Sequence, residues 1–536
     1  MPKVNLDALI PREDFEIIKE GEINVPNSQT VTISELELGK PWLAILRKPD
    51  FQRETNEWSP EAVFDLIKSF LNDDLIPSII LWNSGSRNFV IDGAHRLSAL
   101  IAWVTNDYGN GVISSPFFGH NVSSGQKQIA QLTKNLVDKN IGTYEEHKWA
   151  LNNPDKAEPE MLKRANRLPN LTLTLQWVKG NFINAENSFF KINESPAPIN
   201  DTERSLLKSR RKPNAIAARA IIRSGTGHKY WSYFEDATKK NEIERLATEI
   251  NQMLFKPELE NSRKTLEVPL GGKGYSAGTL PLVFDMVNLC NSIEQRVIKK
   301  TNELAFIEKN GENEINIEDD ITGDKTIQIL KKTRKIIYRI CSDHASSLGL
   351  HPQVYFYSTT GRYQITALLA IIELIKDFEK AGENRLEAFI NVRKQFEEFL
   401  INNKIFINQS TVHTGSGLKG YRHLKKLLLN IIENLEQGKS TENIIDLLTN
   451  DPEFNYLNPK QSETKYTKRK NFDPETKNAV YITKLYKAAL RCSICGGFAH
   501  PNSSTVDHLI RKKDSGLGNF ANADIAHPYC NTTIKN

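Results

Sequence analysis

Four metal-binding side chains, arranged as two pairs, lie in the C-terminal segment 492–536. Cys492 and Cys495 are separated by two residues, and His527 and Cys530 have the same spacing. Thiolate and imidazole pairs at this spacing can close a tetrahedral Zn²⁺ site. Four protein ligands leave no open position on the metal, so we expect a structural zinc. It would stabilise a segment that is too small to bury a core of its own.

Polar residues among these ligands have the character of a second metal site. Asp507 offers a carboxylate oxygen and Asn531 a carbonyl oxygen, donors that suit Mg²⁺ or Mn²⁺ better than zinc. A histidine titrates near neutral pH, so His508 could take a proton from water that attacks a phosphodiester. The metal would stabilise charge on the phosphate and on the leaving oxygen. Pro528 suits the first position of a short helix, whose start would favour a bound phosphate.

The whole pattern resembles the HNH (ββα-metal) nuclease family. The residues that carry the resemblance, besides the four zinc ligands, are Asp507, His508, Asn522, Asn531 and Lys535. The resemblance implies that His508 is the general base. It also implies that Asn522 orients the glycine-bearing loop that follows His508. It further implies that Asp507 and Asn531 hold the catalytic Mg²⁺ or Mn²⁺. The alternative that the residues leave open is a purely structural zinc knuckle with a solvated His508.

Composition limits the class of protein. With 39% hydrophobic and 25% charged residues, the chain is typical of a folded protein, and 536 residues predict about three or four domains. Only five cysteines occur, three of them in the expected zinc site, so we expect no disulfide framework and a reducing, cytoplasmic location. The N-terminal residues lack the apolar core of a signal peptide. No run approaches the ~18 apolar residues of a membrane span, so no membrane partner is expected.

Positive charge is concentrated just before the metal-binding segment. The net charge of the whole chain is only +5, which does not by itself indicate a nucleic-acid partner. Residues 460–491, however, contain nine Lys or Arg and three Asp or Glu, a net charge of +6. A phosphate backbone entering the nuclease-like segment would need such neutralisation, so we expect this connector to contact DNA. The alternative is an exposed charged linker.

A second pattern of chemical interest lies near the N-terminus, where an expected strand at 88–91 runs through Asp92 and Gly93 into an expected helix at 97–103. Gly93 would let the backbone approach a ligand closely, and the helix start presents unpaired N–H groups. Arg96 could donate two hydrogen bonds to phosphate oxygens, with His95 as a second donor. These features fit a triphosphate. A tight turn followed by a surface helix would explain the same residues.

Together with Phe51-Gln52-Arg53 and Trp58, this pattern resembles the ParB/sulfiredoxin-like domain that opens GmrSD-type restriction enzymes. That family usually has Asp-Gly-Gln-Gln/His-Arg, and Ala94 stands here in place of a glutamine. The resemblance implies a domain that binds and hydrolyses a nucleoside triphosphate and gates DNA cleavage. The pocket residues that it implies are Gln52, Arg53, Asp92, Gly93, His95, Arg96 and, from a Phe-x-x-Ile-Asn helix end, Asn193.

We therefore predict an α+β multidomain protein. A ParB/sulfiredoxin-like α/β domain is expected over residues 1–205, a helical domain over 206–455, and a basic connector with a zinc-stapled HNH domain over 456–536. Within the helical region, apolar periodicity predicts a helix at 280–300, and acidic residues between 303 and 324 predict a loop. Nearer the N-terminus, the apolar run 42–46 predicts a strand.

These patterns in this order predict a nucleotide-regulated, divalent-metal-dependent HNH endonuclease of modification-dependent restriction or phage defence. The expected partners are double-stranded DNA, in particular modified phage DNA, a nucleoside triphosphate, and a second copy of the chain if it forms a homo-oligomer. Two alternatives stay open. One is a nucleotide-switched, ParB-like DNA-binding protein whose zinc knuckle binds without cutting. In the other, the N-terminal domain binds modified DNA without hydrolysing nucleotide.

Overall fold

The computed structural model describes residues 3–14, 28–50, 52, 55–56, 58–193, 205–206, 209–259, 264–274, 279–298, 303–311, 313–461 and 471–535. Contacts between Cα atoms divide the chain into two units. The first comprises Met1–Arg210 with Thr226–Tyr233, and the second Arg211–Gly225 with Phe234–Asn536. The finer division into three domains stays a prediction.

A six-stranded mixed sheet organises the first unit. Its strands are β1 (Arg12–Glu13), β2 (Thr30–Thr32), β3 (Leu46–Pro49), β4 (Ile79–Asn83), β5 (Asn88–Asp92) and β6 (Thr172–Val178). They lie in the order β1-β3-β5-β4-β6-β2. β3 is parallel to β1 and β5, whereas β4 is antiparallel to β5 and parallel to β6. The antiparallel pair β4–β5 is the hairpin that places Asp92 at the carboxyl end of the interior strand β5.

Helices cover this sheet and bury its apolar side chains. They are Pro41–Ile45, Pro60–Asn72, Ala94–Thr105, Ser114–Phe117, Ser124–Asn140, Tyr144–Asn152, Pro159–Ala165 and Phe182–Asn193. Ser59 caps the second of these by accepting a hydrogen bond from the Ala62 N–H, which fixes where that helix begins. The strand predicted at 42–46 is wrong, because Pro41 starts a short helix and β3 begins only at Leu46.

The second unit is mainly helical, as predicted for the middle of the chain. Its helices are Pro213–Ile222, Ala237–Phe255, Thr279–Cys290, Asp324–Ile340, Pro352–Tyr355, Ile365–Ala381, Glu383–Asn402, Ile405–Thr414, Tyr421–Glu436, Thr441–Asn450 and Pro474–Tyr486. The helix Ile365–Ala381 is central, because ten of its residues are buried. No described helix is both long enough and apolar enough to cross a bilayer.

A three-stranded antiparallel sheet interrupts these helices and corrects two predictions. The helix predicted at 280–300 ends at Cys290, and β7 (Ile293–Ile298) follows it. The acidic loop predicted at 303–324 contains β8 (Glu303–Asn310) and β9 (Asn313–Asn316). Ser292 has a φ of +56°, which stops helical propagation. Phe306 of β8 is fully buried and packs edge-on against Phe284, so tertiary burial favours the strand.

The C-terminal segment consists of a hairpin and a short terminal helix. β10 (Thr505–His508) pairs in antiparallel register with β11 (Ala523–Ala526), so that His508 lies opposite Ala523. Pro528 then begins the expected short helix, which continues as the π-helix Cys530–Ile534. The two strands and the helix are the ββα arrangement that the HNH resemblance implied.

Candidate functional site

The four expected zinc ligands converge in the second unit. The ligand atoms of Cys492, Cys495, His527 and Cys530 all lie within 4.8 Å of one another. A tight turn positions the first pair, in which the Gly496 N–H donates to Cys492 O at 2.8 Å. Gly496 has a φ of +70°, which glycine adopts without strain. The end of β11 and the start of the terminal helix position the second pair.

The hydrogen bonds of His527 leave its Nδ1 atom facing the cysteine thiols, as zinc binding requires. Its Nε2 lies 3.0 Å from the backbone oxygen of Phe498, to which it donates. Nδ1 therefore carries the lone pair, and it lies 3.3 Å from Cys495 Sγ. Metal-binding histidines commonly have their second N–H held by a carbonyl in this way. Hydrogen bonds within the cluster lower the pKa of the Cys492 thiol and raise that of Cys530, so these thiols share protons until a metal replaces them. The cluster thus fits Zn²⁺.

Sequence reasoning missed a fully buried ion pair that lies against this cluster. Arg393 and Glu397, one turn apart on the helix Glu383–Asn402, pair at 2.7 Å. Arg393 Nη1 lies 3.1 Å from His527 Nδ1, and the guanidinium donates to Gly349 O at 2.9 Å. The signal in the sequence is that Arg393 falls on the apolar stripe formed by Phe389, Phe396 and their neighbours, where a charge needs a buried partner.

Glu397 extends the pair to the zinc knuckle itself. It accepts hydrogen bonds from the Phe498 N–H at 2.6 Å and from the Tyr355 hydroxyl at 2.9 Å. A Cβ at residue 497 would lie 2.7 Å from Arg393 Nε, so Gly497 is what allows the guanidinium this close. The buried Arg393–Glu397 ion pair therefore connects the zinc knuckle to the helix Glu383–Asn402 of the same unit.

β10 places Asp507 and His508 on opposite faces, because side chains alternate along a strand. Asp507 is buried, and its Oδ2 accepts a hydrogen bond from Lys535 Nζ at 2.5 Å. Lys535 also donates to the backbone oxygen of His508. His508 is half-buried, and a Cβ at Gly518 would lie 3.7 Å from its Nε2. The imidazole therefore faces the loop that follows β10.

Asn531 reaches the Asp507 face of the hairpin. Its Nδ2 donates to Thr505 Oγ1 at 3.2 Å, and Thr505 is two residues before Asp507 on the same face of β10. With the amide nitrogen directed to Thr505, the carbonyl oxygen is the atom of Asn531 that can bind a metal. A buried carboxylate and an amide oxygen are a donor set that suits Mg²⁺ or Mn²⁺.

Asn522 holds the loop between β10 and β11. Its Oδ1 accepts from the Ile510 N–H at 2.6 Å, and its Nδ2 donates to Ile510 O at 3.1 Å and to Leu517 O at 2.9 Å. One side chain thus joins the two sides of the loop. This fixes the loop that lies beside His508.

In the first unit, β5, Gly93 and the helix Ala94–Thr105 form the expected junction. Gly93 has a φ of +94°, and a Cβ there would lie 2.6 Å from Ile79 Cδ1. Arg96 Nη2 donates to Asp92 Oδ2 at 2.6 Å, so the pair is formed within the junction. His95 stacks on Trp58, with ring centroids 5.7 Å apart.

Gln52 lies on a neighbouring loop that a buried charge network holds. Asp7 pairs with Arg12 and Lys48, each at 2.7 Å, and Arg12 Nη1 donates to the backbone oxygen of Gln52 at 2.5 Å. Gln52 itself is buried. Of the other expected pocket residues, Arg53 lies outside the described residues. Asn193 ends the helix Phe182–Asn193 as predicted, and its side chain lies outside the described structure.

Comparison with known families agrees with this geometry. Residues 34–251 match the family described as GmrSD restriction endonuclease, N-terminal domain. Residues 492–536, which contain the zinc cluster and the hairpin, match the family described as HNH endonuclease. The chain has the domain architecture of a GmrSD-type restriction enzyme. No curated protein and no solved structure matches it.

The two family matches confirm both resemblances found in the sequence. The C-terminal match to the HNH endonuclease family supports DNA endonuclease activity, and nucleases of that family act on DNA with a divalent metal. The Cys₃His cluster indicates a zinc site in the same domain. The N-terminal match covers residues 34–251 and supports an HNH nuclease that acts in restriction.

Proposed function

We propose that this restriction enzyme hydrolyses a phosphodiester of double-stranded DNA with His508 as the general base. The observation that carries the proposal is the arrangement of β10, where a half-buried imidazole and a buried carboxylate occupy consecutive positions on a strand paired with β11, which leads to His527 and Cys530 of the zinc cluster. His508 takes the proton of the attacking water, since its ring is accessible from the loop side. Asn522 keeps that loop in place, so the ring retains its orientation.

Asp507 and Asn531 would hold the divalent cation, and a bound Mg²⁺ or Mn²⁺ would stabilise negative charge on the phosphate and on the leaving oxygen. The zinc cluster is structural, because all four ligands come from the protein. The few cysteines outside the cluster support the expected cytoplasmic location, where thiols stay reduced.

The test compares nicking of supercoiled plasmid by the parent and by His508→Ala in Mg²⁺ or Mn²⁺. Loss of the general base should slow nicking by about 10²–10⁴-fold. Zinc content and the unfolding midpoint should not change, because His508 is neither a zinc ligand nor a core residue. Exposed His344→Ala is the matched control and should nick at the parental rate.

A His508→Ala variant that nicks as fast as the parent contradicts the assignment. DNA binding by the parent without any nicking would favour a protein that binds DNA without cutting it.

We propose further that the first unit binds a nucleoside triphosphate and regulates cleavage. The support comes from three local features. Gly93 immediately precedes the helix Ala94–Thr105, and Asp92 pairs with Arg96 in the first turn of that helix. The ring of Trp58 stacks on that of His95. The expected pocket comprises Gln52, Arg53, Asp92, Gly93, His95, Arg96 and Asn193. Hydrolysis of the nucleotide, modified phage DNA as the substrate, and assembly into a homo-oligomer belong to the same proposal.

A further inference from the structure

Large apolar side chains are exposed on the nuclease hairpin beside His508. They are Val506, Leu509, Ile510, Leu517 and Phe520. Phe520 is 97% exposed and Leu517 is 70% exposed. Four of the five lie in residues 509–520, which we call the 509–520 loop. A concentration of exposed apolar surface on a folded protein marks a contact surface.

Internal contacts give the 509–520 loop a defined conformation. Asn522 joins Ile510 to Leu517, as described above, and the Gly516 N–H donates to Arg511 O at 3.0 Å. A Cβ at residue 516 would lie 1.8 Å from Ile510 O, so only glycine permits this closure. The apolar side chains are therefore presented outward by a braced loop. A preformed surface binds with less loss of conformational entropy than one that must first become ordered.

The same loop carries positive charge. Arg511, Lys512 and Lys513 are consecutive, and the one acidic residue, Asp514, pairs with Arg511 at 2.9 Å. Lys512 and Lys513 are exposed and have no ion-pair partner within the described part of the chain. Many proteins deform duplex DNA by inserting apolar side chains between base steps, while nearby Lys or Arg side chains bind the phosphates. This combination favours DNA over a protein partner.

The position of the loop relates it to the reaction. It starts at the residue after His508, and Gly518 lies against the His508 ring. A molecule that contacts Leu517 and Phe520 is therefore held at the general base. A duplex bent at this point would present one phosphodiester to His508.

We propose that the 509–520 loop is a DNA-deforming wedge, in which Phe520 and Leu517 insert between base pairs while Lys512 and Lys513 bind the flanking phosphates. This inference rests on the proposed cleavage of DNA. It adds that the enzyme must unstack a base step before it cuts. DNA that is already unstacked at the cut position should need the wedge less.

The experiment measures cleavage of two oligonucleotide duplexes by the full chain under single-turnover conditions. One is a fully paired duplex containing a cut position mapped with the parent, and the other has a single-base bulge at that position. Phe520→Ala should cut the paired duplex about tenfold more slowly than the parent does, the effect of losing one aromatic stack. It should cut the bulged duplex at nearly the parental rate. Val412→Ala, which alters another exposed apolar residue of the same unit, should cut both at the parental rate.

Other outcomes separate the explanations. If Phe520→Ala cuts the paired duplex as fast as the parent, or is slowed equally on both duplexes, the wedge is wrong while the nuclease assignment stands. If gel filtration shows a parental oligomer that Phe520→Ala dissociates, the loop is a contact between copies of this chain and the wedge is overturned. If the parent cuts neither duplex, the proposed function itself fails, and the wedge fails with it.

Discussion

The carboxylate of Asp507 is buried in the nuclease domain and forms an ion pair with Lys535. The ammonium lies 2.5 Å from Asp507 Oδ2 and also contacts the His508 backbone. A divalent cation that uses the same carboxylate must share it with Lys535 or displace that side chain. We therefore expect Lys535 to limit how tightly the free protein binds a divalent cation at Asp507.

At this scale we expect Lys535→Met to bind Mn²⁺ about tenfold more tightly than the parent, the effect of removing one charged hydrogen bond from Asp507. Titration of zinc-loaded protein with Mn²⁺, followed by electron paramagnetic resonance, measures the affinity without DNA. Lys513→Met is the matched control, because it removes one positive charge from the exposed loop. Equal affinities for Lys535→Met and Lys513→Met would show that Lys535 does not compete with the metal.

Individual residues were predictable where the chemistry depends on short spacing. Cys492 and Cys495 are three positions apart, and a soft metal is the simplest reason for such pairs. Arg393 was not predictable in the same way, because its partner across the fold, His527, is far away in sequence and only tertiary structure brings the two together. Nothing in the sequence states that Phe520 is exposed, since an aromatic residue is buried more often than not.

At the scale of elements, the contact between the helix Glu383–Asn402 and the zinc knuckle is unusual because it is made by charge. Arg393 and Glu397 are both fully buried, and Glu397 also accepts the Phe498 N–H. Ser347 and Ser503 add a hydroxyl contact of 2.8 Å between the helical part and the residues just before β10. The hairpin is thus positioned by its neighbours as well as by zinc.

We expect Arg393→Met to lower the free energy of unfolding by about 3–5 kcal/mol, because it leaves Glu397 buried without its counter-ion. Urea denaturation of zinc-loaded protein measures the change, and chelator titration should release zinc more readily from the variant. Arg422→Met is the control, because Arg422 is exposed and its ion pair with Glu294 should contribute less than about 1 kcal/mol. A loss for Arg393→Met no larger than for Arg422→Met would mean that the buried pair does not support the knuckle.

The prediction of helices and strands failed where burial of a side chain in the fold outweighed the local spacing of apolar residues. The apolar spacing continued past Cys290 and predicted a longer helix, but Ser292 leaves the helical region and Phe306 is buried by a strand. The hairpin β4–β5 and the following helix were predictable, since Gly93 and the apolar runs on either side define them locally.

At the scale of the whole molecule, the chain combines two units with different chemistry. The first presents a strand–glycine–helix junction with Arg96, and the second contains the nuclease hairpin. Because one chain contains both, we propose that a ligand of the first unit changes the rate of cutting by the second.

We expect one of ATP, GTP, CTP or UTP to change the rate of DNA cleavage by the parent, and the effect to be larger on modified than on unmodified phage DNA. Arg96→Ala should lose the response, because Arg96 is the expected phosphate donor at the helix start. Arg87→Ala, which removes a partly exposed arginine of the same unit, should keep it. If none of the four triphosphates changes cleavage or gives heat on calorimetric titration, the nucleotide proposal is wrong.

We propose that the His508 imidazole accepts the proton of the attacking water. Chemical rescue tests this role, with the nicking rate of His508→Gly measured against increasing imidazole at constant zinc, Mg²⁺ and ionic strength. We expect almost no nicking without imidazole and a saturable rise with it, whereas His508→Gly combined with Asp507→Asn should not respond. Nicking by His508→Gly at the parental rate without imidazole would show that His508 is not the general base.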